Sequence, residues 1–117
     1  MQVLRCARKK LDPDWVMSEA KRISTILSHL SPESVYLFGS AAEAEMTDQS
    51  DFDFLILFES SQEIRTAQTR LRQSYPLSSY PVDIVWTTKA EFTRKQDVGG
   101  VCFIVHREGV CLYRSER

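Results

Sequence analysis

Asp51 and Asp53 stand one residue apart at the head of the apolar run Phe54 to Phe58, and ten residues separate them from Gly39-Ser40. On a strand, carboxylates at i and i+2 project from the same face. Mg2+ takes oxygen ligands in a tight octahedron and is usually held by one or two carboxylates plus the phosphates of its substrate. The pair suits that ion, and a third carboxylate from an adjacent strand would complete a two-metal site for displacement at phosphorus. Asp83, inside the segment Pro81 to Trp86, is the candidate third. Gly39 permits a sharp turn after a buried strand, where backbone amides and the Ser40 hydroxyl can hydrogen-bond terminal phosphates. The chemistry these residues share is phosphoryl or nucleotidyl transfer.

Each part of the pattern is common by itself: a lone Asp-x-Asp is usually a polar strand mouth, and Gly-Ser usually a turn. Their combination carries the reading. Aspartate is a poor strand former, so its presence in two strands needs a reason. Phe52, Phe54, Ile56 and Phe58 fall on one side of the first strand, with Asp51, Asp53, Leu55 and Leu57 on the other. In the second, Val82, Ile84 and Trp86 share a side and Asp83 points away from it. All three carboxylates thus come out on one face of a sheet, opposite an apolar face covered by helices. Crowded together without cations they would raise one another's pKa, a penalty that metal binding removes.

The elements that must position them can be placed in turn. Asp12-Pro13 is a helix cap and first helical residue, and Val16, Ala20, Ile23, Leu27 and Leu30 recur at steps of four and three, which predicts a helix over 13–30. Val35 to Phe38 is a short buried strand leading into the Gly39-Ser40 turn, and 41–50 is a short helix and then a loop. The acidic strand covers 51–58. Ile64, Ala67, Leu71 and Tyr75 mark a second helix closed by Pro76, and 81–86 is the Asp83 strand. Thr88 with Glu91 is a capping box for a brief helix to about 96. Beyond the Gly99-Gly100 break, 101–105 reads either as a strand hairpinned to 110–113 or as a helix capped by Gly109. The fold class is α+β, a mixed sheet with helices on one face.

At 117 residues the chain has the size of one domain around a single core, with residues 1–11 as a candidate flexible lead. Hydrophobic residues make up 43% and charged residues 26%, which excludes a largely disordered or fibrous protein. A formal net charge of -1 gives no overall field to collect nucleic acid or hold an anionic membrane, so any anion must be bound locally. The basic cluster Arg5, Arg8, Lys9 and Lys10 reads as solvated chain. Cys6, Cys102 and Cys111 have no metal-ligand spacing and read as free thiols, the last two buried, in a reducing cytosol. No run approaches a membrane span.

Gly39-Ser40, ten residues, Asp51-x-Asp53, with Asp83 in a later strand, resembles the G-S-x10-D-x-D pattern of the minimal nucleotidyltransferase (MNT) domains in the DNA polymerase beta superfamily. The ending Arg107-Glu108-Gly109-Val110-Cys111-Leu112-Tyr113 resembles the close of many stand-alone members, in which the preceding segment is helical; on that ground 101–107 is expected to be helix. The resemblance implies that Asp51 and Asp53 bind two Mg2+ ions, Mn2+ being an alternative. By the same resemblance Asp83 would bind the catalytic ion and help activate an acceptor hydroxyl. Gly39 and Ser40 would, on that resemblance, hold the β and γ phosphates of ATP or another nucleoside triphosphate. It also implies a partner, since many small members are antitoxins paired with a HEPN-domain toxin that they modify; a homo- or a hetero-oligomer is equally compatible, and the cytoplasmic location expected from the free thiols agrees with it.

The family often reads G-S-x-A-R-G, whereas Glu43 and Ala44 stand here in the last two positions. A carboxylate about 8 Å from a phosphate, at an effective dielectric of about 20, would cost on the order of 2 kcal/mol, less if Glu43 turns toward water. The rival expectation is therefore a degenerate module that acts by binding a partner alone; a nucleic-acid end-modifying enzyme is disfavoured by charge. His29 and His106 read as structural. Trp15, Trp86 and the phenylalanines read as core, Tyr75 and Tyr80 are left open, and Arg65, Arg70 and Arg72 form a solvated helix face.

Overall fold

Asp12 accepts a hydrogen bond from the Asp14 amide at 3.1 Å and Pro13 follows in the first turn, so helix α1, Pro13–Ser28, starts where its sequence cap lies. Val16, Ala20, Ile23 and Leu27 are its buried stripe, and His29 is its carboxyl cap. The computed structural model describes residues 8–74 and 76–116, so the expectations for Arg5, Cys6 and Tyr75 lie outside the described residues. Strand β1, Ser34–Phe38, runs into a single 3-10 turn at Gly39–Ala41. Strand β2, Phe52–Phe58, is followed by helix α2, Ser61–Leu71, and strand β3, Val82–Thr88. Helix α3, Lys89–Lys95, helix α4, Gly100–Glu108, and strand β4, Val110–Arg114, complete the order.

The sheet order is β3-β2-β1-β4, with β1 antiparallel to both β2 and β4 and β2 parallel to β3. A parallel pair needs a crossover, and α2 supplies it. Phe52, Phe54, Ile56 and Phe58 pack with α1, α2, Val35 and Leu37 into the main core. The other face differs from the sequence expectation of helices on one side only. There Leu55 and Leu57 pack with Phe92 of α3 and with Cys102 and Val105 of α4, a second, smaller core. The aspartate end of that face lies outside both apolar clusters formed by the described residues. The same packing explains why 101–107 is helical: Cys102 and Val105 are buried three residues apart, whereas Ile104 is 42% exposed.

Several side chains lie elsewhere than their composition suggests. Cys111 is exposed, because β4 is an edge strand, while Cys102 is buried as expected. Trp15 is 41% exposed rather than core, its ring set edge-on against Tyr80 at 5.6 Å. Helix α2 ends at Leu71, short of Pro76. Arg65, Arg70 and Arg72 are exposed as read, and Arg70 donates to the His29 carbonyl at 3.1 Å.

The loop before β3 is fastened to α1 by a polar clamp. Glu19 accepts two bonds from Arg22, at 2.8 and 2.7 Å, and one from the Ser78 hydroxyl at 2.6 Å, while Arg22 also donates to the Leu77 carbonyl at 2.7 Å. The Arg22 hydrogen bond is the main reason the Glu19 carboxyl falls to about 2 from 4.5. A depressed carboxyl contributes stability that is full above its unfolded value and lost as pH falls through the folded one. Glu19→Ala is expected to cost about 1–2 kcal/mol at neutral pH, the half-exposed Arg22 limiting the effect. Urea unfolding should show that deficit shrinking between about pH 4.5 and pH 2.

Ala44 has φ 59, in the left-handed region, and is exposed. An L residue there costs roughly 1–2 kcal/mol, of which the larger unfolded-state freedom of glycine takes back about 0.4–1. Ala44→Gly is accordingly expected to stabilise the fold by about 0.5–1 kcal/mol, read as a rise in urea midpoint at constant slope. The alanine in this motif position is thus carried at some cost to stability.

Candidate active site

The acidic residues are placed by register. In the parallel β2/β3 ladder Asp53 lies directly opposite Asp83, so their side chains share a face on strands about 4.8 Å apart. Asp51 immediately precedes β2, two residues back along the same face. Asp51 and Asp83 are exposed and Asp53 is half-buried. Burial is the largest cause, followed by the charges of Asp83 and then Asp51, of a rise in the Asp53 carboxyl to about 6 from 3.8. Among the described residues none donates a hydrogen bond or an ion pair to these three carboxylates. Negative charge is concentrated here without a hydrogen-bonded or ion-paired cation among the described residues.

Gly39 is brought to the same spot from the other side. Phe38 pairs with Asp53 across β1 and β2, and the chain then turns at Gly39 with φ 73. A Cβ on Gly39 would lie 3.3 Å from the Asp53 Cγ and nearer still to its Oδ2. Glycine is therefore required twice, by the backbone and by the carboxylate packed on it. The Ala42 and Glu43 amides bond back to the Gly39 carbonyl at 3.1 and 3.2 Å, and buried Ala41 anchors the turn beneath. The first amides of such a turn have no acceptor within it. Ser40 follows Gly39 in the turn, and Glu43 is exposed, where water screens it.

All five residues singled out by the sequence therefore lie at one end of the sheet. The three carboxylates share a face without closing into a cage: among the described residues no three His, Cys, Asp or Glu groups enclose a metal position unaided. The donor set still suits Mg2+ or Mn2+, which bind through one or two carboxylates with water and phosphate oxygens completing the shell. Sequence reasoning missed the contact between Gly39 and Asp53, because nothing in the spacing shows that β1 neighbours β2. It also left Tyr80 open; its ring packs edge-on to Phe52 at 6.4 Å and to Trp15, a structural position.

A family model described as "Nucleotidyltransferase domain" matches residues 20–110. A solved structure of a candidate nucleotidyltransferase from Sulfolobus solfataricus superposes with a TM-score of 0.55 at 21% identity, covering 90% of this chain and 86% of that one, which shows a shared fold. No curated protein matches the chain. No helix among the described residues is long and apolar enough to cross a membrane.

Proposed function

The chain belongs to the nucleotidyltransferase domain family, and from that premise we propose that it transfers a nucleoside monophosphate, AMP from ATP, to an acceptor hydroxyl. The observation that carries this reading is Asp53 set opposite Asp83 with Gly39 packed against its carboxylate. The Gly39-Ser40 turn holds the β and γ phosphates at the end of β1. Asp51, Asp53 and Asp83 would hold Mg2+ or Mn2+, which when bound neutralises charge on the transferring group and lowers the pKa of the acceptor hydroxyl. Asp83, the most outlying of the three on edge strand β3, takes the hydroxyl proton.

The proposed acceptor is a HEPN-type protein partner in the cytoplasm, for which this chain would be the antitoxin. Supporting it is the motif resemblance, Gly39-Ser40 and Asp51-x-Asp53 at ten-residue spacing. Incubation with ATP labelled on the α phosphate, Mg2+ and the candidate partner is expected to label the partner. No transfer, in a preparation shown to bind ATP, would overturn the reading.

Glu43 and Ala44 favour a second reading, a module that keeps the fold and acts by binding alone. Mg2+ separates the two: an active site gains thermal stability with the ion, and a pure binding module does not.

A further inference from the structure

We propose that the cavity between α3 and the end of the β1/β4 pair that lies away from the aspartates is a second binding site, which takes a phosphate group carried on a small molecule. The inference goes beyond the transfer reading and shares no residue with the acidic end of the sheet. Ser34 and Tyr36 stand two apart on β1 and so project from one face. Tyr36 lies opposite Leu55 and Phe38 opposite Asp53, which makes this the face of the aspartates. Ser34 is four residues back from Phe38, about 14 Å along the strand. Arg114 of β4 is the register partner of Ser34, and Lys89 and Thr93 of α3 line the cavity from the other side. Its volume is about 300 Å³, at the small end of ligand pockets and enough for a phosphate with a short organic group.

The polar groups in its wall are held in place but not used within the chain. Ser34 is 7% exposed, and among the described residues its hydroxyl makes no hydrogen bond. A buried hydroxyl without a partner is unfavourable, and a ligand oxygen would supply the missing bond. Tyr36 is fixed by its ring, stacked on Phe92 at 6.0 Å, and by its oxygen, which accepts a bond from Arg114 Nη2 at 3.2 Å. With that lone pair engaged, the phenolic O–H is left to donate, and no described residue accepts it. The side chains of Lys89 and Thr93 likewise have no hydrogen-bond or ion-pair partner among the described residues. Two cations, Lys89 and Arg114, outnumber the single carboxylate of the lining, Glu33. Donors that converge from β1, β4 and α3 suit an anion with acceptor oxygens on several sides. A carboxylate offers two oxygens in one plane, whereas a phosphate group offers three, and a guanidinium fork matches it.

The test titrates inorganic phosphate, at constant ionic strength and with chelator present, into the full chain while backbone amide signals are followed by NMR; acetate is the control anion. Phosphate is expected to move the Ser34, Tyr36 and Thr93 signals. Arg114→Gln, at an exposed position where folding is not at issue, is expected to weaken binding on the order of tenfold, and Ser34→Ala by about threefold. The amide spectrum of each variant reports its fold in the same experiment. Signals that move only at Gly39 and Ser40 would overturn the proposal, since they would place the anion in the turn at the other end of β1. So would an Arg114→Gln protein that binds phosphate as tightly as the wild type, or acetate that moves the same signals as strongly.

Discussion

Asp53→Asn is expected to lose nucleotidyl transfer on the order of a thousandfold and yet, in metal-free buffer at neutral pH, to unfold at higher urea than the wild type. The loss follows from removing the central carboxylate of the site. The gain follows from the Asp53 carboxyl at about 6 against 3.8 for an unperturbed one. The folded state then holds the proton more tightly than the unfolded state. Its contribution is full below about 3.8 and is lost as pH rises through about 6, where burial and two like charges make ionisation costly. Asparagine carries no charge at any pH and escapes that loss. Because Asp53 is only half-buried, water limits the difference to about 1–2 kcal/mol. Urea unfolding in chelator is expected to show the gap opening between about pH 4 and pH 7; a gap independent of pH would contradict the electrostatic account. Added Mg2+ should reverse the ranking, stabilising the wild type alone.

Gly39→Ala is expected to destabilise the fold by on the order of 2–3 kcal/mol, lowering Tm by roughly 10 °C or more, with loss of ATP binding. The left-handed φ of 73 contributes roughly 1–2 kcal/mol of this. The remainder comes from the new methyl group meeting the Asp53 carboxylate. The two terms can be separated. With Asp53→Ala in place, the nearest remaining Asp53 atom is its Cβ at 3.5 Å, an ordinary contact. The double variant should therefore be more stable than the sum of the singles by about 1 kcal/mol, the portion due to the clash. Strict additivity would mean that the glycine serves only the backbone.

Much of the fold was legible because its signals are local. The Asp12-Pro13 cap and the 16-20-23-27 stripe define α1 within the chain itself, and the Thr88 to Glu91 capping box does the same for α3, where the Thr88 hydroxyl accepts from the Glu91 amide at 3.2 Å. Period-two alternation around Phe54 and Ile84 assigned both strands their faces. At Val101 to Val105 it did not decide, because a short apolar run looks alike as strand or helix; the family ending, not the pattern, pointed to helix. Trp15 and Cys111 were misplaced for a related reason. Hydrophobicity states a preference for burial, and whether an edge strand or a helix flank provides a neighbour depends on the rest of the chain.

The sequence by itself determined which residues are the candidates for the chemistry: side-chain type and one-dimensional spacing are enough to set Asp51 and Asp53 on one face and a glycine-serine turn ahead of them. Only the tertiary structure decided that β2 and β3 run parallel in a register that puts Asp53 beside Asp83, and that Gly39 returns to lie on the same carboxylate. It also decided that α3 and α4 cover the far half of the acidic face and leave a cavity beside it. The physical reason is that strand pairing and helix docking join residues distant in sequence through burial, a non-directional force whose outcome depends on which surfaces are left to meet.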